Sequence, residues 1–167
     1  MGETQDVLVV GVDGSPASDR ALEWALDEAR RRRAAVAIVT AYGHAQHAGT
    51  LGEPAVARKA REAAEREQAE QVNRVAEPYR DDVDISLEVV DGRPVDRLLE
   101  AAANATLLVV GSHGYGRVRE VLVGSVAAGC IRSATCPVVV LPAPHLEPLE
   151  PGERHEHGPT YNPGPMY

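Results

Sequence analysis

The sequence predicts an α/β fold: a single open five-stranded parallel sheet with helices on both faces. Three observations carry that expectation. Short apolar runs rich in Val and Ile alternate with segments of helical periodicity, and Gly, Pro and capping residues punctuate the junctions. The core stock is aliphatic, with no Phe and a single Trp, Trp24, which suits strands buried on both faces. At 167 residues the chain holds one core rather than two small ones, and 44% hydrophobic with 25% charged residues is the mixture of a globular domain.

The first strand is Val7 to Val12, stopped by Asp13-Gly14-Ser15-Pro16, in which Ser15 reads as a helix N-cap and Pro16 as the first helical residue. Ala21, Leu22, Ala25, Leu26 and Ala29 then recur at helical spacing, and Ala35 to Thr40 supplies the second strand. Tyr42 to Glu53 reads as a loop. A long helix is expected from Pro54 to Ala76, its apolar face marked by Val56, Ala60, Ala63, Ala64, Val72 and Val75. Asp84 to Val90 is the third strand, and Asp91-Gly92-Arg93-Pro94 turns the chain into a helix carrying Val95, Leu98, Leu99 and Ala102. Thr106 to Val110, Gly124 to Ser133 and Pro137 to Leu141 complete the alternation as strand, helix and strand. Residues 1–143 are expected to form the domain. Residues 144–167, rich in Pro, Gly, His and Glu without apolar periodicity, are expected to be a disordered tail.

A formal net charge of −8 disfavours attraction to a polyanionic backbone, so nucleic acid is not an expected partner. The run Arg30 to Arg33 looks like a basic patch, but it ends a predicted helix, where the carbonyl dipole favours cations. No apolar run approaches the roughly 20 residues that span a bilayer, and no basic segment followed by an apolar core opens the sequence, so the expected location is the cytoplasm. Cys130 and Cys136 are too widely spaced for a redox CxxC motif and are expected to be reduced, structural thiols. His145, His155 and His157 form only a low-specificity metal signal.

The strongest chemical signal is Gly111-Ser112-His113-Gly114 directly after the fourth strand, followed nine residues later by Gly124-Ser125 at the start of a helix. Glycine admits close approach of backbone N–H groups to a ligand, and a helix N-terminus offers unpaired donors and a positive dipole end to an anion. Phosphate is the expected guest, with Ser125 adding a hydroxyl and Arg117 a positive charge if the loop folds back. In a sheet of strand order 3-2-1-4-5 the crossovers diverge between strands one and four, the place where open α/β sheets bind ligands. Asp13 ends the first of these strands and Gly111 the other, so the amides near Gly111, Gly114 and Gly124 are expected to converge on one anion beside the Asp13 carboxylate. Asp13 is thus a candidate to hold a ribose hydroxyl or a magnesium ion bridging phosphates.

At these residues the chain resembles the universal stress protein family, in its ATP-binding branch, from Asp6 to Pro142. Its opening strand and Asp-Gly-Ser match Val12 to Ser15, and the family's G-2x-G-9x-G-(S/T) signature matches Gly111, Gly114, Gly124 and Ser125. The resemblance implies a Rossmann-like fold of the adenine nucleotide alpha hydrolase type. It places Gly11, Val12 and Asp13 beside the nucleotide and Ala41 against the adenine. Ser112, His113, Gly116 and Arg117 join the glycines in the phosphate and ribose loop, and Val126 follows Ser125 in the helix. Thr106 departs from the pattern of many members, which carry an acidic residue there.

The resemblance further implies a homodimer formed through Val138 to Leu141, an uninterrupted apolar edge that would otherwise invite aggregation. The expected function is that of a dimeric signalling module in stress response that binds ATP, with magnesium as a candidate companion. The lysine-bearing phosphate loop GxxxxGK(S/T) is missing, and His113 has no evident base partner or nucleophile, so no catalytic residue is assigned and ATP hydrolysis is at most slow. Three alternatives stay open: a weak ATPase or other adenylate-handling enzyme, a cyclic AMP or AMP-binding protein, and an electron-transfer subunit with a redox cofactor.

Overall fold

The computed structural model describes residues 6–43, 54–114 and 123–144. Its elements follow the order β1 (Val7–Gly11), α1 (Pro16–Arg32), β2 (Ala35–Tyr42), α2 (Pro54–Val75), a 3-10 turn (Glu77–Tyr79), β3 (Ile85–Asp91), α3 (Pro94–Ala101), β4 (Leu107–Gly111), α4 (Ser125–Ser133) and β5 (Val138–Leu141). The strands form one Rossmann-like sheet in the order β3-β2-β1-β4-β5, with each neighbouring pair parallel.

The alternation of side chains along each strand explains why its sequence reads as a continuous apolar run. Leu8, Val10, Val36, Ile38, Leu107 and Val109 enter one buried cluster with α1, whereas Val9, Val39, Leu108 and Val110 enter a second with Leu98 of α3 and Cys130 of α4. The sheet is therefore covered on both sides. Helices α1 and α2 lie on one face and α3 and α4 on the other, so the chain leaves β1 and β4 toward opposite faces.

Local chemistry fixes the ends of α1. Ser15 is extended and its hydroxyl accepts the Ser18 N–H, with Pro16 following it. At the other end Arg33 adopts the left-handed conformation and its N–H reaches the Ala29 carbonyl. The arginine run sits where the sequence put it. Arg30 pairs with Asp27, while Arg31 and Arg32 both reach Glu28 and hold its carboxyl below its ordinary pKa, the hydrogen bond from Arg32 acting most strongly. These cations are thus locally countered by acids.

Two expectations need correction. Tyr42 belongs to β2 rather than to the following loop, because β3 continues alongside it: Tyr42 stands opposite Asp91 and its carbonyl accepts the Gly92 N–H. The rest of that loop, 44–53, lies outside the described residues. The buried stripe of α2 also differs from the predicted one. Val56 is 55% exposed, whereas Ala64 and Val72 are buried and Val75 packs against the core as expected, and Gln68 and Gln71 join that face. The glutamines are admitted because each meets polar partners there; Gln68 donates to the Ile38 and Glu88 carbonyls and to the Thr40 hydroxyl.

Both cysteines are free and pack in the second cluster, where burial first and Cys136 second push the Cys130 thiol pKa up. Among the described residues no helix is long and apolar enough to cross a membrane, and no group of three or more His, Cys, Asp or Glu could hold a metal ion. The expected tail lies outside the described residues from 145 onward, with its three histidines.

Leu26 is fully buried between α1 and the sheet. Leu26→Ala is expected to lower the unfolding free energy by about 2–5 kcal/mol, read as an earlier midpoint in urea denaturation.

Candidate functional site

A cavity of about 280 Å³ opens at the carboxyl ends of the strands, where the connections from β1 and β4 diverge. The end of β1 gives it Gly11, Val12 and Asp13, and β4 with its following loop gives Val110, Gly111, Ser112, His113 and Gly114. Gly124, Ser125, Val126 and Ala127 bring the start of α4 to the same space, and Ala41 approaches from β2. All the expected site residues that are described meet here. Gly116 and Arg117 lie outside the described residues.

The three glycines of the signature have different tasks. A Cβ on Gly114 would stand 2.5 Å from Asp13 Oδ2, so this position is bare because the carboxylate lies against it. On Gly111 a Cβ would instead meet the backbone of α1, 2.8 Å from the Ala17 carbonyl carbon and 2.9 Å from the Ser18 nitrogen. Gly111 lines the cavity, but its missing side chain serves the contact between β4 and α1. Gly124 caps α4 from an extended conformation, and its N–H donates to the Ser112 carbonyl at 2.7 Å.

The expected convergence of amides is therefore corrected in one respect. The Gly124 N–H closes the loop on itself instead of pointing at a guest. Donors available to an anion include those of the first turn of α4, at Ser125, Val126 and Ala127, which precede the first intrahelical bond and have no capping side chain.

Asp13 is held in place rather than free to swing. Its Oδ1 accepts from the Ser15 N–H at 3.1 Å and from the Ser15 hydroxyl at 2.5 Å. The same hydroxyl lies 3.3 Å from the His113 carbonyl oxygen, a second acceptor for its one proton, so the β1 and β4 loops meet at this point. Ser112 Oγ and His113 Nδ1 are 3.0 Å apart, each able to donate depending on the tautomer. Asp13 and His113 are the only ionisable side chains among the described residues of the lining.

Sequence reasoning missed part of the wall. Val39, Pro94 and Leu98 form an apolar side beside Ala41, and Ser18 contributes a buried hydroxyl from α1. Leu98 and Ser18 both sat in recognisable helices, but only the packing of those helices against strand ends brings them to the crevice. Pro94 not only turns the chain into α3 but also lines the cavity.

These features define a doubly wound α/β domain whose crevice at the crossover reversal pairs a carboxylate with a glycine loop and an open helix N-terminus. Comparison with known proteins narrows the class. The profile of the universal stress protein family matches residues 6–142, and the chain belongs to that family. Universal stress protein Rv3134c of Mycobacterium tuberculosis is 39% identical over 146 residues, an alignment that takes in 86% of this chain and 50% of the relative. The chain spans about half the length of the curated relatives it matches. Among solved structures, a universal stress protein in complex with cAMP is 31% identical, with a TM-score of 0.57, covering 83% of this chain and 98% of that one. The universal stress protein from Archaeoglobus fulgidus in complex with dAMP, at 23% identity and a TM-score of 0.52, covers 83% of this chain and 99% of that one and attests the shared fold.

Because Gly111 meets backbone rather than a flexible side chain, Gly111→Val is expected to lose about 2 kcal/mol or more of stability through forced separation of β4 and α1. Chemical denaturation checks this, and an unchanged midpoint contradicts the packing role given to Gly111.

Proposed function

We propose that the cavity binds an adenine nucleotide, with ATP as its ligand, and that the chain is a regulatory binding module of the ATP-binding branch. The observation that supports this most is the meeting of Asp13, Gly114 and the first turn of α4 around one crevice. A phosphate suits the amides of α4, a ribose hydroxyl suits the carboxylate, and the apolar side of Val39, Ala41, Pro94 and Leu98 suits a base.

Asp13 is the lone carboxylate of the described lining, and a bare carboxylate repels phosphate unless a cation or a hydroxyl intervenes. That donor set fits magnesium, which commonly takes one carboxylate and completes its shell with phosphate oxygens and water. In this reading the chain itself orients the carboxylate through Ser15 and leaves Oδ2 for the ligand. Cyclic AMP is the second reading, favoured by the related structure that carries it. A backbone-lined anion site distinguishes phosphate chains only weakly, so the two ligands compete for one place.

Turnover is at most slow, since the GxxxxGK(S/T) loop is missing from the sequence. The module works in the cytoplasm as a homodimer, with residues 1–143 as its nucleotide-binding unit. β5 supports the dimer: it pairs with β4 on one side and forms a sheet edge on the other, with Val138 to Leu141 only half-buried.

Native mass spectrometry of freshly purified protein is expected to release ATP, and calorimetry to rank ATP above AMP and cyclic AMP; tighter binding of the cyclic nucleotide decides for the second reading. Gly114→Val is expected to weaken ATP binding by about tenfold or more while leaving the circular dichroism native. Retained affinity in a folded Gly114→Val protein contradicts the loop assignment. In sedimentation at micromolar concentration a dimer is expected, reduced to monomer by Val140→Asp; a monomeric unsubstituted chain rules the dimer out.

A further inference from the structure

Gln71 is one of the most enclosed polar side chains in the molecule, 2% exposed, and it lies on α2, which contributes no residue to the cavity wall. Its Oε1 accepts the Gly14 N–H at 2.9 Å, and its Nε2 donates to Ser18 Oγ at 2.8 Å and to Asp19 Oδ1 at 2.7 Å. The amide orientation follows from these partners, because a backbone N–H requires an acceptor and a carboxylate a donor. One side chain thus bridges the loop after β1 and the first turn of α1.

Two of those contacts, at Gly14 and Ser18, lead to Asp13. Gly14, at φ +78°, is the residue next to it, in a conformation that leaves its N–H directed away from the α1 ladder and toward α2. The Ser18 hydroxyl accepts from Gln71, donates to the Ser15 carbonyl at 2.9 Å and stands 3.4 Å from the Asp13 nitrogen. Ser15 in turn holds Asp13 Oδ1 through its hydroxyl and its N–H. Behind Gln71, Arg74 grips both oxygens of Asp19 at 2.9 Å, which fixes the acceptor that Gln71 uses. The network runs from α2 through Gln71 and the β1 loop to the carboxylate that abuts Gly114.

We propose that Gln71 is a positioning residue for ligand binding: it sets the Asp13 carboxylate for the nucleotide by clamping Gly14 and Ser18 to α2. The inference rests on the nucleotide reading of the cavity and adds to it a residue outside the wall. A carboxylate aimed at a ligand from a short loop needs that loop held in one conformation, and a buried, fully satisfied amide supplies this because its loss leaves the Gly14 N–H and the Ser18 hydroxyl without their partner. A glutamine that only joined α1 to α2 would have no reason to act through Asp13, and that difference is measurable.

The test is a double-mutant cycle on the full chain, read by calorimetric titration with Mg-ATP. Gln71→Met keeps the length and volume but none of the hydrogen bonds, and is expected to weaken ATP binding by about tenfold with Asp13 present and by less than about twofold in the Asp13→Ala background. An equal loss in both backgrounds overturns the proposal and leaves Gln71 as a structural tie. If Gln71→Met fails to fold, Gln71→Glu replaces it; it preserves shape and the Gly14 acceptor but cannot donate to Ser18 or Asp19, and the same pattern of non-additivity is expected. Failure of the unsubstituted protein to bind ATP overturns the ATP reading along with this inference, whereas tight ATP binding with additive substitutions overturns this inference alone.

Discussion

The site depends on how closely the end of β4 can lie against the first turn of α1. At Gly111 the two backbones leave no room for a Cβ, with Ala17 and Ser18 directly opposite. If they were held farther apart, the Ser15 hydroxyl would no longer span from Asp13 to the His113 carbonyl, and the two loops would separate. The crossover reversal between β1 and β4 decides where a crevice forms, and this contact decides how tightly its two rims are joined.

Much of this was legible in the chain. The apolar runs, the Ser15-Pro16 helix start and the alternation of elements fix strand and helix type because local propensity, capping and tertiary burial all agree there. Asp13, Gly111, Gly114 and Gly124 were also legible as a group, since only special backbone requirements explain glycines at such fixed spacing. Their separate tasks were not: a bare Cα signals crowding but does not say whether a helix, a carboxylate or a ligand does the crowding. Gln68 and Gln71 were hidden for another reason. A helix pattern read by apolar residues treats glutamine as solvent-facing, and the clue lay in two uncharged polar residues beside Ala64 and Val72 in a helix whose other polar positions are mainly charged.

The electrostatic character of the crevice follows from its composition. Its described lining holds one carboxylate and one imidazole, and in the proposed function the attraction for an anion falls to backbone amides at the start of α4. Amide donors do not titrate, and they recognise a phosphate by geometry more than by total charge. Such a site tolerates a net charge of −8 over the whole chain because its field is local.

The two margins of the sheet are unlike each other. β5 presents Val138, Val139, Val140 and Leu141 without a charge, whereas β3 sets its one exposed aliphatic side chain, Leu87, between Ser86 and Glu88 and ends on Asp91. If a second copy pairs along β5 as proposed, it covers the margin strand that carries no charged side chain, and the more polar margin at β3 is left to water. Such lopsidedness favours a closed pair over an open-ended fibre.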